Sequence, residues 1–143
     1  MANTSILTDG KVLYTARTYT TGGRDGSSRS DDDRLNVKLS SPGSRGEGTN
    51  PEQLFAAGWS ACFEGAMAVA ARNRGVTLPA NLAIATEVDL RRGEMGYSLA
   101  ARMKIDMPGI DRQSARSLID EAHELCPYSK ATRGNIPVDI SLG

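Results

Sequence analysis

The chain has 143 residues, which suits one domain (residues 1–143) with a single hydrophobic core. Its 17 basic and 17 acidic residues balance and form no basic cluster, so the charge pattern argues against nucleic-acid binding. No run of about 18 apolar residues is present, and the first residues lack the pattern of a signal peptide. We therefore expect a cytoplasmic protein that does not span a membrane.

The first 50 residues predict strands separated by polar loops. Asp9-Gly10 is a strong turn signal, so residues 1–20 are predicted to form a β-hairpin. Residues 21–33 are polar and rich in glycine, which predicts a loop. A further strand is indicated by the alternation of Leu35, Val37 and Leu39, and a second loop follows it.

The clearest element is a helix from Pro51 to about Arg74, with Asn50 as a suitable N-cap and Gly75 as a suitable C-cap. Its apolar and small residues follow helical spacing, and more of them widen the apolar surface nearly all round. The predicted stripe comprises Leu54, Phe55, Gly58, Ala61, Cys62, Gly65, Ala66 and Val69. Such a helix is predicted to be central and buried, with a second subunit covering part of it.

The remaining residues predict a second hairpin, a second helix and a last strand. Residues 82–90 and 97–105 alternate on either side of a polar turn. Asp111 is predicted to cap the second helix, which Pro127 ends because the residue before a proline avoids helical geometry. A short turn then leads to the strand. The order βββ-α-ββ-α-β indicates an α+β fold with antiparallel-rich sheets around a buried central helix.

Two cysteines suggest redox chemistry, because disulfides in the cytosol tend to be catalytic or redox-sensing. Cys62 and Cys126 do not form a C-x-x-C motif, and two cysteines with one histidine do not favour a closed zinc site. Cys62 lies on the predicted helical stripe, where a buried thiol often only packs. Cys126 is either the last core residue of its helix or a mobile thiol beside Pro127.

A reactive Cys62 would need a nearby cation, because apolar burial raises a thiol pKa and the helix dipole acts only near the helix end. Arg24 is the candidate, since it lies in a glycine-flanked loop that can approach a site closely. Glu52 could hold its guanidinium. An ordinary loop arginine and a carboxylate placed on the helix dipole are the alternatives.

Four aromatic residues leave two interpretations open. Phe55, Trp59, Phe63 and Tyr128 are core residues by default, and they would also suit the wall of an apolar substrate pocket.

Three strings carry a resemblance to a known family. Residues 49–63, TNPEQLFAAGWSACF, resemble the first cysteine motif of the organic hydroperoxide resistance (Ohr) branch of the OsmC superfamily. Residues 126–135, CPYSKATRGN, resemble its second cysteine motif, and residues 22–26, GGRDG, resemble its arginine loop. The Pro-Tyr-Ser after the second cysteine favours the Ohr branch, and residues 25–33 are the least family-like part.

The resemblance implies an OsmC-like fold, an interwoven homodimer with active sites at the subunit interface, and a peroxidase without cofactors. Alkyl and fatty-acid hydroperoxides would be reduced to alcohols in preference to hydrogen peroxide. Cys62 would match the peroxidatic cysteine, which forms a sulfenic acid, and Cys126 the resolving cysteine, which forms a disulfide with it. Arg24 would activate the thiolate and Glu52 would orient Arg24. A dihydrolipoyl-type dithiol on a lipoylated protein would be the reductant.

Two other functions fit the same cysteines. One is a thiol–disulfide oxidoreductase acting on proteins, which would react slowly with hydroperoxides. The other is a non-enzymatic redox-sensing module, whose disulfide would form slowly and would not be recycled by a dithiol.

Overall fold

The computed structural model describes residues 9–143, which fall into two compact units that divide between Pro51 and Glu52. The single domain predicted over residues 1–143 stays a prediction. In the first unit, the chain forms strands β1 (Thr18–Thr21), β2 (Ser27–Ser30) and β3 (Asn36–Lys38), with a 3-10 helix at Gly23–Asp25. The elements that follow are α1 (Pro51–Arg74), β4 (Ala83–Gly93), β5 (Gly96–Asp106), α2 (Arg112–Leu125), α3 (Pro127–Thr132) and β6 (Val138–Leu142).

The first unit contains an antiparallel sheet in the order β1-β2-β3. The predicted hairpin over residues 1–20 is wrong where it can be checked: residues 1–8 lie outside the described part, residues 9–17 form no strand, and β1 begins at Thr18. The predicted loop at 21–33 contains β2 and the 3-10 helix. The strand Ser27–Ser30 has no apolar alternation because its backbone pairing, and not side-chain burial, defines it.

Helix α1 begins at Pro51 and ends at Arg74 as predicted, and Gly75 has the left-handed φ of 66° expected of a C-cap. Its buried side chains differ from the predicted stripe, since Ala61, Gly65 and Val69 are exposed within one chain. The largest side chains recur at every fourth position and turn that face into the core. The buried residues are Trp59, Phe63, Ala66, Met67, Ala70 and Ala71.

Within a single chain α1 is buried on one face, and the predicted cover of its other face by a second subunit stays a prediction. Within residues 9–143, α1 is the one helix long and apolar enough to cross a membrane, with a mean hydropathy of 1.4 over its most apolar window. The core helix of a soluble protein passes the same test, and the buried face of α1 belongs to the hydrophobic core.

The second sheet has the order β4-β5-β6, with β4 and β5 antiparallel and β6 parallel to β5. The predicted second hairpin is confirmed and is longer than expected, because pairing continues from Ala83↔Asp106 to Gly93↔Gly96. The apolar residues of β5 and β6 pack with α1 and α2 in one core. With antiparallel pairing predominant, the α+β architecture is confirmed.

Helix α2 begins after Asp111 as predicted and ends at Leu125, one residue before Cys126. Cys126 has an extended ψ of 122°, and Pro127 is the first residue of α3. The prediction of a simple turn here is wrong, because proline ends one helix but suits the first position of the next. The short α3 makes Cys126 the junction between two helices.

The ionised cap at Asp111 should make stability depend on pH. Its carboxylate accepts a hydrogen bond of 3.0 Å from the backbone N–H of Ser114, which lowers its pKa below the ordinary 3.8. A carboxyl group whose pKa is lower in the folded state stabilises the fold at pH values above its unfolded-state pKa. This stabilisation is lost as the pH falls through the folded-state pKa. Asp111→Asn keeps an acceptor but does not titrate, so the urea midpoint of the wild type should exceed that of the variant more at about pH 6 than at about pH 3. Asp120→Asn, on the exposed face of the same helix, is the control. A gap independent of pH for Asp111→Asn would contradict this role.

Candidate active site

The two cysteines lie side by side. The Cys126 thiol donates to the Cys62 sulfur with 3.7 Å between the Sγ atoms, and both are free thiols. Cys62 is partly exposed on α1, whereas Cys126 is 0% exposed at the junction of α2 and α3. A disulfide needs about 2.05 Å between the sulfurs, so only a small movement separates this arrangement from a covalent bridge.

The surroundings of Cys62 raise its pKa. Burial is the largest cause, and the neighbouring Cys126 thiol adds to it. The backbone N–H of Tyr128 also donates to the Cys62 sulfur and lowers the pKa, without reversing the direction. Because the thiolate is the nucleophile, a reactive Cys62 needs a further favourable charge.

Three aromatic rings contact one another on α1 and α3, the helix that carries Cys62 and the helix that follows Cys126. The Phe55 ring makes edge contacts with Trp59 at 5.7 Å and with Tyr128 at 6.1 Å between centroids. Tyr128 is 39% exposed and Phe55 is half-buried, so both present apolar ring surface near Cys62. Phe63 is fully buried in the core and packs beneath this surface instead of lining it.

Two contacts bring α3 onto α1. The indole Nε1 of Trp59 donates to Ser129 Oγ at 3.4 Å, and both side chains are fully buried. The Tyr128 ring lies over Gly58, where an added Cβ would come within 2.9 Å of the Tyr128 hydroxyl and 3.4 Å of its Cζ. Gly58 is therefore required for the ring to lie this close to the helix.

Arg24 lies in the 3-10 helix of the first unit. An added Cβ at Gly26 would come within 1.8 Å of the Thr21 carbonyl oxygen, so only glycine allows this tight turn. The neighbouring Asp25 carboxylate accepts hydrogen bonds of 3.0 Å from the backbone N–H and the hydroxyl of Ser41. The loop that carries Arg24 is thus held by short-range contacts inside its own unit.

Glu52 lies in the first turn of α1 and begins the second unit, which also contains Cys62 and Cys126. Arg24 belongs to the other unit, so the roles of Arg24 and Glu52 stay predictions. Among residues 9–143, no three His, Cys, Asp or Glu side chains are grouped so that they could hold a metal ion.

Analysis of the residues alone did not identify Gly58 and Ser129 as part of the site. The sequence did contain one indication of these contacts. The helical spacing of Phe55, Gly58, Trp59 and Cys62 places them on one face of α1. The partner of that face was not apparent, because α3 was not predicted and lies far along the chain.

Comparison with known proteins identifies the class. The family model for OsmC-like proteins matches residues 41–141, which is more than half of the chain. The chain therefore belongs to the OsmC-like family.

Two curated relatives are particularly similar. The organic hydroperoxide resistance protein of Xanthomonas axonopodis pv. citri is 46% identical, and the match covers 92% of this chain and 96% of the relative. The protein OhrB of Bacillus subtilis is 40% identical, with 92% of this chain and 98% of the relative covered. Within the OsmC-like family, the chain groups with the organic hydroperoxide resistance proteins.

Solved structures support the same grouping. The crystal structure of OhrB from Bacillus subtilis has a TM-score of 0.87 at 39% identity, covering 92% of this chain and 100% of that one. An organic hydroperoxide resistance protein from Legionella pneumophila also gives 0.87 at 39% identity, covering 93% and 99%. The predicted OsmC-like fold and the resemblance to the Ohr branch are thus confirmed.

Oxidation of the cysteine pair should be visible in the fluorescence of Trp59, the single tryptophan of the chain. The Trp59 indole donates a hydrogen bond to Ser129, which lies three residues after Cys126. Formation of a disulfide between Cys62 and Cys126 should therefore disturb the environment of the indole. Diamide titration should change the emission in step with the loss of both thiols and leave the chains unlinked to one another. Cys126→Ser is the control and should show no such change. Chains crosslinked through disulfides at low protein concentration would contradict this arrangement.

Proposed function

We propose that the chain is a cysteine-based peroxidase that reduces organic hydroperoxides to alcohols, as part of an oxidative stress response. The observation that carries this proposal is the 3.7 Å contact between the partly exposed Cys62 thiol and the buried Cys126 thiol. A reachable sulfur with a second sulfur beside it suits two-step peroxide reduction. The names of the relatives, organic hydroperoxide resistance proteins, agree with this chemistry.

In the first step, the Cys62 thiolate attacks the distal oxygen of the hydroperoxide, and the O–O bond breaks. The sulfur is oxidised to sulfenic acid, and the leaving alkoxide takes a proton to become the alcohol. In the second step, the Cys126 sulfur attacks the Cys62 sulfur and displaces hydroxide, which leaves as water with the Cys126 proton. Cys62 and Cys126 are then joined by a disulfide.

Arg24 is proposed to favour the Cys62 thiolate, with Glu52 orienting its guanidinium. Burial and the neighbouring Cys126 raise the pKa of Cys62, so the thiol needs a positive charge to ionise at neutral pH. The loop held by Gly26 and by the Asp25–Ser41 hydrogen bonds supports this role, since it fixes the backbone on either side of Arg24.

Bulky alkyl and fatty-acid hydroperoxides are the proposed substrates. The ring surfaces of Phe55 and Tyr128 beside Cys62 can bury an alkyl chain, with Phe63 packed beneath them in the core. Burial of apolar area contributes roughly 25 cal/mol per Å², which favours such substrates over hydrogen peroxide.

A dihydrolipoyl-type dithiol, carried by a lipoylated protein, is proposed to regenerate the thiols. One thiolate of the dithiol attacks the Cys62 sulfur, which is the more exposed of the two, and releases the Cys126 thiolate. The second thiol of the same molecule then displaces Cys62 and closes its own disulfide. This second displacement is intramolecular, so a dithiol should outperform a monothiol.

A homodimer with sites at the subunit interface is also proposed. Residues on α1 such as Ala61, Gly65 and Val69 are exposed in one chain, and so are Val12 and Leu13. A second copy that covers these exposed apolar residues would remove them from water. A cytoplasmic location is proposed because the cycle needs a reducing compartment.

The cysteine variants test the function. Cys62→Ser should abolish consumption of cumene hydroperoxide, because serine does not form a sulfenic acid. Cys126→Ser should permit one rapid peroxide reduction per chain, but no steady turnover with dihydrolipoamide. Stopped-flow mixing followed by a steady-state assay measures both. Rapid turnover in Cys62→Ser would exclude this proposal. Slow thiol loss with every hydroperoxide would favour a protein thiol–disulfide oxidoreductase or a redox-sensing module instead.

The arginine is tested through the pH profile. Arg24→Ala should raise the pKa of Cys62 and slow its reaction at neutral pH, by about tenfold for each unit that the pKa rises above the pH. Arg29→Ala is the matched control, since Arg29 lies in the same unit and its guanidinium is 3.6 Å from the Asp33 carboxylate. A pH–rate profile of Arg24→Ala that matches the wild type would contradict the assigned role.

A further inference from the structure

A buried hydrogen bond lies beside the pair of sulfurs. Trp59 and Ser129 are both fully buried, and the indole N–H donates to the serine hydroxyl at 3.4 Å. Serine is mostly an exposed residue in proteins, so a fully buried one needs a partner of this kind. The bond joins α1 to α3, two helices that are far apart in sequence.

The position of this bond relates it to the chemistry. Trp59 precedes Cys62 by three residues, and Ser129 follows Cys126 by three residues. Each partner is thus about one helical turn from a sulfur. The intervening segment is ordered, because the backbone N–H of Lys130 donates to the Cys126 carbonyl at 3.0 Å.

Tyr128 adds a second attachment in the same segment. Its ring lies over Gly58 and contacts Phe55, and its backbone N–H donates to the Cys62 sulfur. Residues 126–129 are therefore attached to one face of α1 through consecutive contacts, and Cys126 lies within that attached segment.

We propose that Ser129 and Gly58 are positioning residues that hold Cys126 against α1, so that the Cys62 sulfenic acid is captured before a second hydroperoxide reaches it. Ser129 acts through the indole of Trp59, and Gly58 leaves room for the Tyr128 ring. This proposal rests on the proposed peroxidase function and adds what determines the fate of its intermediate.

Two reactions compete for that intermediate. Attack by the Cys126 sulfur forms the disulfide and releases water. Attack by the deprotonated sulfenic acid on another hydroperoxide breaks the O–O bond, forms a sulfinic acid and releases a second alcohol. The sulfinic acid leaves Cys62 inactive. Only the first reaction depends on the position of Cys126, so loosening residues 126–129 shifts the partition towards sulfinic acid.

Ser129→Ala is the main test. It removes the acceptor of the Trp59 N–H, and the hydroperoxide concentration that over-oxidises half of Cys62 should fall by about fivefold, as expected for the loss of one buried hydrogen bond. Intact-mass measurement separates sulfinic acid from disulfide. This partition is a ratio within folded, reacting molecules, so a smaller folded fraction does not change it.

Thr132→Val is the matched control, because within residues 9–143 the Thr132 hydroxyl donates to the carbonyls of Tyr128 and Ser129, both inside α3. It should stay within about twofold of the wild type. An unchanged partition in Ser129→Ala would overturn the proposal, and so would an equal shift in Thr132→Val, which would mean that any disturbance of α3 suffices.

Gly58→Ala gives a second test, with Arg72→Ala as its control. Arg72 is exposed in the last turn of the same helix, whereas an added Cβ at Gly58 displaces the Tyr128 ring. Both changes improve helix propensity, so a shift towards sulfinic acid in Gly58→Ala alone supports the proposal. An unchanged partition between disulfide and sulfinic acid in Gly58→Ala would mean that Gly58 has no positioning role.

Equilibration with glutathione redox buffers separates this proposal from the peroxidase function. The effective concentration of Cys126 towards Cys62 should fall by about fivefold in Ser129→Ala, whether or not the chain reduces hydroperoxides. If the wild type consumes no hydroperoxide but this value falls, the function is wrong and the positioning role stands. If hydroperoxide is consumed and the value is unchanged, the positioning role is wrong.

Discussion

The contact between the Cys62 and Cys126 sulfurs is the constraint on which the site depends. It requires one face of α1 to meet the junction of α2 and α3, and the junction exists because Pro127 ends one helix and begins the next. The Trp59–Ser129 hydrogen bond and the Tyr128 ring over Gly58 maintain that meeting. These few contacts between helices therefore determine the distance between the two Sγ atoms.

The same setting that brings the sulfurs together disfavours the ionisation of Cys62. Burial raises the pKa of Cys62, while the backbone N–H of Tyr128 only partly opposes it. A nucleophilic thiol in this position needs a charge supplied by another part of the chain, which is why Arg24 enters the proposed mechanism. The burial of the Cys62 sulfur and its proposed activation by Arg24 thus depend on different residues.

Helix limits and the second hairpin were predictable, because caps, proline and strand alternation are local signals. The limits of α1 and the cap at Asp111 are examples. The polar strand Ser27–Ser30 was not predictable, since its residues lack an apolar pattern and it is defined by its backbone pairing with β1 and β3. In the site, the cysteines were found by residue type and by resemblance, whereas Ser129 was missed because its role depends on a distant indole.

The parallel pairing of β6 with β5 has a consequence for how the chain matures. Parallel neighbours need a crossover, and here α2, Cys126 and α3 form it. Such non-local pairing forms slowly, and during synthesis β6 emerges after both cysteines. We therefore expect the two thiols to remain apart on the nascent chain and to meet only when β6 joins the sheet, so that a disulfide between them forms only after β6 has paired with β5.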